Sequence, residues 1–136
     1  MYLIDSSALV RILRKQVDPA WIDYAISRKF AICEPVLCET IKAVGKGQAK
    51  RAETNLLAGH RYVKLPDGVW DYVRAMRHGL IERSMHNVFG VADYLIAATA
   101  MKLKLPVLHE DKDYTAAATI FPQLSERRIS MTLPDE

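Results

Sequence analysis

"MYLIDSSALVRIL", residues 1–13, joins a wholly apolar run to a helical pattern through a single acid, Asp5. The run "MYLI" at 1–4 is typical of a strand that is buried on both faces. A helix is predicted to follow from Ser7 to Arg14. Because a buried strand that leads directly into a helix begins a β–α–β unit, the chain is predicted to open with the first strand of a parallel sheet.

Four further runs predict the remaining strands. They are "FAIC" at 30–33, "RYVKL" at 61–65, "LPVLH" at 105–109 and "RRISMTL" at 127–133. Helices are predicted to start at Asp18 with Pro19 at N1, to open again at Pro35, to resume near Gln48, and to cover 69–85, 91–103 and 114–120. The alternation predicts an α/β fold, a single three-layer domain over residues 1–136 with a mainly parallel central sheet and helices on both faces.

The composition is typical of an ordinary globular protein, with 50% hydrophobic and 26% charged residues in a chain of 136. No stretch approaches the roughly 20 apolar residues of a membrane span, and the N-terminus lacks the basic region of a signal peptide. The spacing and apolar surroundings of the two cysteines, Cys33 and Cys38, predict reduced thiols in the core and not a zinc site. We therefore expect a cytoplasmic protein that does not associate with membranes.

Acidic residues follow the ends of several predicted strands. Asp5 comes directly after "MYLI", and Asp111 and Asp113 come after "PVLHE". Glu39 lies near the start of the helix that leaves "FAIC", and Asp93 begins the helix that leads into "LPVLH". In an open parallel sheet, ligands bind at the carboxyl ends of the strands, beside the point where the strand order reverses. We therefore expect these acids to share one edge of the sheet.

Each acid also has an ordinary structural explanation. Asp5 and Asp113 are each placed to cap a following helix, and Asp93 complements the positive end of its helix dipole. Glu39 lies three residues before Lys42, a spacing at which surface ion pairs form. From the residues alone, both the structural roles and a shared site remain open.

A cluster of such carboxylates at neutral pH would require a cation. Two carboxylates ~4 Å apart repel by about 4 kcal/mol at an effective dielectric of about 20, so a cluster takes up protons or binds cations. All-oxygen sites suit Mg²⁺ or Mn²⁺ and not Zn²⁺. These ions activate water and stabilise leaving oxygens in phosphoryl chemistry. The pattern favours a metal site formed by Asp5, Glu39, Asp93, Asp111 and Asp113.

The same segments resemble the motifs of a known family. "YLIDSSALVRIL", "EPVLCETI", "VADYLIAATA" and "PVLHEDKDY" are similar, in order as well as in residues, to the successive motifs of the PIN domain. More narrowly, they resemble the VapC toxins of bacterial and archaeal toxin–antitoxin modules. The similarity extends over nearly the whole chain, and its most specific part is the pairing of "DYLIAATA" with "VLHEDKD".

The resemblance implies roles for the acids and for one serine. Asp5, Glu39, Asp93 and Asp111 match the four catalytic and metal-binding acids of the family, Asp113 matches an additional acid that many members carry, and Ser7 matches a small polar residue that supports the first acid. It further implies cleavage of RNA with Mg²⁺ or Mn²⁺, with structured transfer or ribosomal RNA as the substrate. The implied partners are a second copy of the chain and a cognate VapB-type antitoxin whose C-terminal segment blocks the site.

Basic residues are concentrated between Lys42 and Lys64, where six of them accompany a single acid, Glu53. Lys42, Lys46 and Lys50 are spaced for a stripe that contacts phosphate, although a solvated helix face is the simpler explanation. Arg11 and Arg14 are further candidates for contact with an RNA backbone. His86 and His109 lie near the motifs, but an all-acid site needs no histidine base, so we expect both to be structural or solvent-facing.

Other functions are less compatible with the pattern. A phosphatase of the haloacid-dehalogenase type needs DxD after the first strand, where this chain has Asp5, Ser6 and Ser7. The acid and lysine pattern of a receiver domain is missing from the sequence as well. The alternative that remains is a non-cleaving PIN-like module that binds RNA or an antitoxin. The complete set of acids argues against it, because a protein that only binds a polyanion gains nothing from crowded carboxylates.

Overall fold

Five strands form one parallel sheet in the computed structural model, which describes residues 1–135. The strands are β1 (Tyr2–Ile4), β2 (Phe30–Ile32), β3 (Arg61–Tyr62), β4 (Val107–His109) and β5 (Glu126–Arg128). Their order across the sheet is β3-β2-β1-β4-β5, and every neighbouring pair is parallel. Because the order reverses beside β1, the crevice for a ligand is expected between the carboxyl ends of β1 and β4.

Helices connect the strands throughout residues 1–135. They are α1 (Ser6–Leu13), α2 (Pro19–Ile26), α3 (Glu34–Lys42), α4 (Ala49–Gly59), α5 (Val69–Glu82), α6 (Val91–Leu103) and α7 (Lys112–Ala118). Along the chain, the sheet first extends from β1 through β2 to β3, and the chain then returns to the other side of β1 to add β4 and β5. Because the direction reverses, right-handed crossovers place helices on both faces of the sheet. The predicted three-layer α/β fold is confirmed. None of the helices in residues 1–135 has the length and apolar character needed to cross a bilayer.

Aromatic side chains fill the core at the amino-terminal ends of the central strands. Tyr2 opens β1 and Phe30 opens β2, and both pack against Trp21 and Tyr24 of α2, with the Tyr2 and Trp21 ring centroids 5.4 Å apart. The Trp21 indole N–H donates to the carbonyl of Thr132 at 2.8 Å, which satisfies its buried donor. The amino-terminal end of the sheet is therefore filled by packed aromatic side chains, and polar side chains lie at the carboxyl-terminal end.

The last strand is shorter than predicted. β5 ends at Arg128, whereas the sequence pattern extends a strand to residue 133. The chain turns instead, because the Met131 N–H donates to the Arg128 carbonyl at 3.1 Å. Ser130 strengthens the turn by donating its N–H and its hydroxyl to the Glu110 carboxylate, at 3.1 and 2.9 Å. Side-chain hydrogen bonds therefore overrule the strand propensity of this segment.

Helix α7 begins two residues earlier than predicted, and its cap is a different acid. Asp111, and not Asp113, is the N-cap, since Asp111 Oδ1 accepts a hydrogen bond from the Asp113 N–H at 2.9 Å. The capping roles expected of Asp5 and Asp18 are both confirmed, because each side chain accepts from a backbone N–H two residues on.

The two cysteines lie in different environments. Cys33 is buried, and burial raises the pKa of its thiol to about 12, so it stays protonated and inert. Cys38 is exposed, so its predicted core position is wrong. It shares a helical face with Glu34 and Lys42, at four-residue spacing, and all three side chains point to solvent.

The predicted stripe of lysines does not form. Lys42 is the last residue of α3, Lys46 lies in the turn that follows, and Lys50 is in the first turn of α4. Because the helix breaks between them, the three side chains do not share a helical face. All three are exposed, as expected of solvated residues.

Candidate active site

A cleft of about 570 Å³ opens at the carboxyl ends of β1 and β4 and contains four of the five predicted acids. We call it the acidic cleft; its lining residues are Asp5, Ser6, Ser7, Val10, Arg11, Arg14, Gln16, Glu39, Thr40, Ala43, Asp93 and Asp111. The acids come from four separate segments of the chain. The expectation that they share one edge of the sheet therefore holds for Asp5, Glu39, Asp93 and Asp111.

Asp5 is the most buried of these acids, at 4% exposure. It follows β1 directly and caps α1, with Oδ2 accepting from the Ser7 N–H at 3.1 Å and from the Ser7 hydroxyl at 2.6 Å. Its own N–H donates to the Leu108 carbonyl of β4 at 2.9 Å. These bonds fix the carboxylate at the junction of the two central strands.

Ser7 connects the two halves of the site. While its hydroxyl donates to Asp5, the same oxygen accepts from the Glu110 N–H at 2.8 Å. Glu110 lies between β4 and Asp111, so the contact ties the segment that carries Asp111 to the start of α1. The position of Ser7 fits the supporting role implied by the family resemblance.

Asp93 combines a structural role with a place in the acidic cleft. It is the third residue of α6, and its Oδ2 accepts from the Gly90 N–H at 3.0 Å in a capping arrangement. Burial raises the pKa of its carboxyl to about 6, and the charges of Asp5 and Asp111 contribute to the rise. The capping contact with Gly90 engages only Oδ2, so a capping role and a place in the cleft are compatible in the same carboxylate.

A buried tyrosine that the sequence patterns did not single out joins Asp5 to Asp93. The Tyr114 hydroxyl lies 3.1 Å from Asp5 Oδ1 and 3.3 Å from Asp93 Oδ1. Tyr114 is the third residue of α7 and is fully buried. Its place in the first turn after Asp111, three residues on, is the sequence signal that would have pointed to it.

Asp111 is oriented through the backbone of its own segment. Its N–H donates to Nδ1 of His109 at 3.0 Å, and Nε2 of His109 lies 3.3 Å from Glu126 Oε1. Since Nδ1 is an acceptor, the neutral ring carries its proton on Nε2 and donates it to Glu126. Burial lowers the pKa of His109, which keeps the ring neutral near pH 7. His109 is thus structural, as predicted.

Glu39, Asp113 and His86 occupy more peripheral positions. Glu39 lies in the second turn of α3, is exposed, and forms no ion pair with Lys42 within residues 1–135. Asp113 is adjacent to Asp111 but does not line the acidic cleft. Burial, together with the charge of Asp111, raises the pKa of the Asp113 carboxyl. His86 is exposed, in agreement with the prediction.

The acidic cleft offers the donors that a hard divalent cation prefers. Its acids are all carboxylates, and a cation would relieve the mutual repulsion that helps to raise the pKa of Asp93. Within residues 1–135, no three His, Cys, Asp or Glu side chains are close enough to enclose an ion by themselves. Mg²⁺ usually retains several waters and binds one or two carboxylates together with substrate phosphates. An open set of acids fits this mode of binding.

Arginines line the same cleft. Arg11 and Arg14 both belong to the segment that Asp5 begins, and both line the cleft together with the acids. The lysines and arginines between residues 42 and 64 do not line it. The cleft thus combines negative charge that attracts a cation with positive charge that can bind a phosphate backbone.

The chain is similar in sequence to proteins of known family. The profile of the PIN domain matches residues 2–120. Ribonuclease VapC17 of Mycobacterium tuberculosis is 28% identical over 130 residues, which is 95% of this chain and 96% of that protein. Ribonuclease VapC6 of the same organism is 29% identical over 107 residues, which is 77% of this chain and 84% of that protein.

Solved structures share the fold. The structure of VapBC2 from Rickettsia felis bound to a promoter DNA fragment has a chain that superposes with a TM-score of 0.73 at 18% identity, covering 93% of this chain and 97% of that one. VapBC-1 from nontypeable Haemophilus influenzae gives a TM-score of 0.74 at 14% identity, covering 93% and 96%. At such identities, the likeness establishes the architecture alone.

Proposed function

Since the chain belongs to the PIN domain family, we propose that it is a metal-dependent endoribonuclease that acts as the toxin of a type II toxin–antitoxin module. The observation that carries the proposal is the acidic cleft, where Asp5, Asp93 and Asp111 meet at the carboxyl ends of neighbouring parallel strands. The relatives named Ribonuclease VapC, similar over nearly the full length of the chain, support the same activity.

Asp5, Asp93 and Asp111 would hold Mg²⁺ or Mn²⁺, with Glu39 and Asp113 helping to place water or a second ion. When bound, such an ion makes hydroxide available near neutral pH and offsets the charge that develops on the phosphoryl oxygens. The chain's own contribution is to keep the carboxylates in place. Ser7 and the cap of α1 fix Asp5, the Gly90 N–H fixes Asp93, and the His109 ring fixes the backbone at Asp111.

RNA would bind in the acidic cleft through its phosphates. Arg11 and Arg14 are basic side chains that line the acidic cleft, and a guanidinium can bind phosphate through two parallel hydrogen bonds. The scissile phosphate would then lie between the arginines and the carboxylates. Hydrolysis by water in line with the leaving oxygen yields a 5′-phosphate and does not use the ribose 2′-OH as a nucleophile. A structured transfer or ribosomal RNA is the proposed substrate.

The proposed partner is a VapB-type antitoxin that covers the acidic cleft. The solved structures that share the fold include VapBC2 of Rickettsia felis and VapBC-1 of Haemophilus influenzae, and this supports a partner of that kind. A small reading frame for a DNA-binding protein next to the gene would support it further. We also propose that the chain forms a homodimer and acts in the cytoplasm, where its RNA substrate is found.

Cleavage assays on protein freed of any antitoxin test the proposal. The wild type should cut RNA with Mg²⁺ or Mn²⁺ and stop when EDTA is added. Asp5→Asn and Asp93→Asn should each lower the rate by at least about 100-fold, because they remove charge from the ion site. Asp23→Asn is the matched control, since Asp23 is exposed on α2 and does not line the cleft.

The outcomes separate the proposal from its alternatives. Undiminished cleavage by both site variants contradicts it, and cleavage that persists in EDTA indicates a ribonuclease that needs no metal. Binding of RNA without cleavage under any metal condition favours a non-cleaving PIN-like module. The folded state of each variant is checked by circular dichroism, so that loss of structure is not mistaken for loss of chemistry.

A further inference from the structure

We propose that Tyr114 is a positioning residue for the divalent ion, because its hydroxyl holds the facing oxygens of Asp5 and Asp93 together from the core side of the acidic cleft. The inference rests on the proposed function, since it assigns a role in forming the same ion site. It concerns a residue that the metal-binding pattern of acids does not include.

The two carboxylates use their oxygens in the same way. Oδ2 of each is occupied by the start of its own helix, at Ser7 for Asp5 and at Gly90 for Asp93. Oδ1 of each is turned toward the Tyr114 hydroxyl, at 3.1 and 3.3 Å. Within residues 1–135, the hydroxyl is therefore the one side-chain group that hydrogen-bonds to both carboxylates.

Tyr114 approaches the acids from beneath the cleft. It is fully buried and does not line the cleft, whereas Asp5 and Asp93 both do. Because Tyr114 is not part of the cleft lining, an ion that enters through the cleft would not need to displace its hydroxyl. A carboxylate oxygen has two lone pairs and can accept a hydrogen bond while it binds a cation.

The tyrosine ring is held rigidly. Its centroid lies 5.4 Å from that of Phe89 and 5.0 Å from that of His109. The His109 ring in turn accepts a hydrogen bond from the Asp111 N–H, so the packed rings of Tyr114 and His109 together contact three of the acids. A hydroxyl on a fixed ring defines where its acceptors lie, which a hydroxyl on a mobile side chain cannot do.

The hydroxyl is the donor that the two facing oxygens share. A phenolic hydroxyl has one proton, and both Asp5 Oδ1 and Asp93 Oδ1 lie within hydrogen-bond distance of it. Without the hydroxyl, neither of these two oxygens would have a side-chain donor among residues 1–135.

Tyr114→Phe tests the role by removing only the hydroxyl. Binding of Mn²⁺ is measured at fixed pH by isothermal titration calorimetry and by the rise in melting temperature with added Mn²⁺. We expect a Kd about tenfold weaker than that of the wild type, as is usual when a hydrogen-bond partner of a metal ligand is lost. At saturating Mn²⁺, the kcat for RNA cleavage should return to within about threefold of the wild type.

Tyr94→Phe is the matched control. Tyr94 is also buried and contacts Phe89, with ring centroids 5.4 Å apart, but its hydroxyl has no hydrogen-bond partner in the part of the chain the structure describes. This variant should bind Mn²⁺ as the wild type does. A Tyr114→Phe protein with wild-type Mn²⁺ affinity would overturn the inference, as would an equal loss of affinity in both variants.

A measurement on the unsubstituted ring covers the case in which Tyr114→Phe does not fold. Mg²⁺ absorbs no light, so any change in the near-ultraviolet spectrum during its titration comes from the protein. In Tyr94→Phe protein, where Tyr94 cannot contribute, the titration should still perturb the band of a buried tyrosine. No perturbation at saturating Mg²⁺ would overturn the inference. If the wild type binds neither ion and cleaves no RNA, the proposed function fails, whereas normal binding and cleavage in both wild type and Tyr114→Phe defeats only the role of Tyr114.

Discussion

The hydroxyl of Ser7 accepts a hydrogen bond from the backbone N–H of Glu110 at 2.8 Å, although the two residues lie 103 positions apart in the chain. The same hydroxyl donates to Asp5, so a single oxygen connects the acid after β1 with the segment after β4. The arrangement of the acidic cleft thus depends on the Ser7 hydroxyl as well as on the carboxylates.

Ser7→Ala is expected to lower both activity and stability. It leaves the Glu110 N–H without its acceptor and removes the shorter of the two hydrogen bonds to Asp5 Oδ2, which costs about 1–3 kcal/mol of unfolding free energy. Cleavage should fall by about tenfold or more, because the variant loses the hydroxyl that links Asp5 to the segment carrying Asp111. Denaturant unfolding and cleavage rates measure the two effects. Ser7→Thr keeps the hydroxyl and should recover much of both, and failure of Thr to do better than Ala would contradict this explanation.

Asp93→Asn should stabilise the metal-free protein at neutral pH. The pKa of Asp93 is raised from 3.8 to about 6, so the folded state holds a proton more tightly than the unfolded state. The stabilisation due to this group is complete below the unfolded pKa and is lost as the pH rises through about 6. After allowance for solvent screening of a half-buried group, we expect the variant to be about 1 kcal/mol more stable than the wild type at pH values above this window.

Melting temperatures in a chelating buffer, at pH values below and above that window, check the prediction for Asp93. The advantage of the variant should shrink as the pH falls. Added Mg²⁺ should reverse the order at neutral pH, because the ion binds the folded wild type and not the variant. A wild type that is more stable than Asp93→Asn in chelator at neutral pH would show that the cost of burying the charged carboxylate does not dominate at Asp93.

Arg14→Gln should weaken RNA binding more than it slows the chemical step. Arg14 lines the acidic cleft, so the KM for RNA should rise several-fold while kcat stays within about twofold. The slope of binding against salt should become shallower by about 0.7, the value for one lost phosphate contact to a single strand. Lys50→Gln is the control, because Lys50 is exposed on α4 away from the cleft. Equal effects of the two substitutions would indicate diffuse electrostatic attraction.

His60 makes stability depend on pH independently of the acidic cleft. Burial lowers its pKa below 6.5, and its ring stacks on Phe30 with centroids 6.3 Å apart. The unfolded state therefore binds a proton more readily, so the stability due to His60 is present above the unfolded value of about 6.5 and is lost as the pH falls from there through the lower pKa of the folded state. His60→Gln should reduce the drop in melting temperature between pH values above and below this point. An unchanged drop would mean that His60 titrates alike in both states.

The architecture was predictable because apolar runs and helix signals agree along most of the chain. α6 was placed at its observed bounds of 91–103, since an apolar segment there follows Gly90 and carries an acid in its first turn. The start of α2 was predicted by Asp18 and Pro19, a local signal that needs no tertiary context. The edge strand β3 is shorter than predicted: "RYVKL" has strand propensity over 61–65, but the strand ends at Tyr62, after which the Val63 N–H makes one more hydrogen bond to the Ile32 carbonyl of β2.

The site was only partly predictable, because its acids can be recognised from the sequence pattern and the side chains that fix those acids in place cannot. Asp5, Asp93 and Asp111 were found from their positions beside strands and helices. Tyr114 resembles a core aromatic residue in sequence, and its hydroxyl acquires meaning only when α7 packs under the ends of β1 and α6. Similarly, the turn at Ser130 depends on a carboxylate twenty residues earlier, a long-range contact that local propensity does not contain.

The pairing of β1 with both β2 and β4 has a consequence for how the protein is made. Asp5 emerges early from the ribosome, but its neighbours in the cleft are synthesised much later, and Asp111 last of the four. A translation product truncated before β4 lacks both that strand and Asp111. Prematurely terminated messages therefore yield fragments with an incomplete acidic cleft, and the proposed cleavage of RNA would become possible only when synthesis is almost complete.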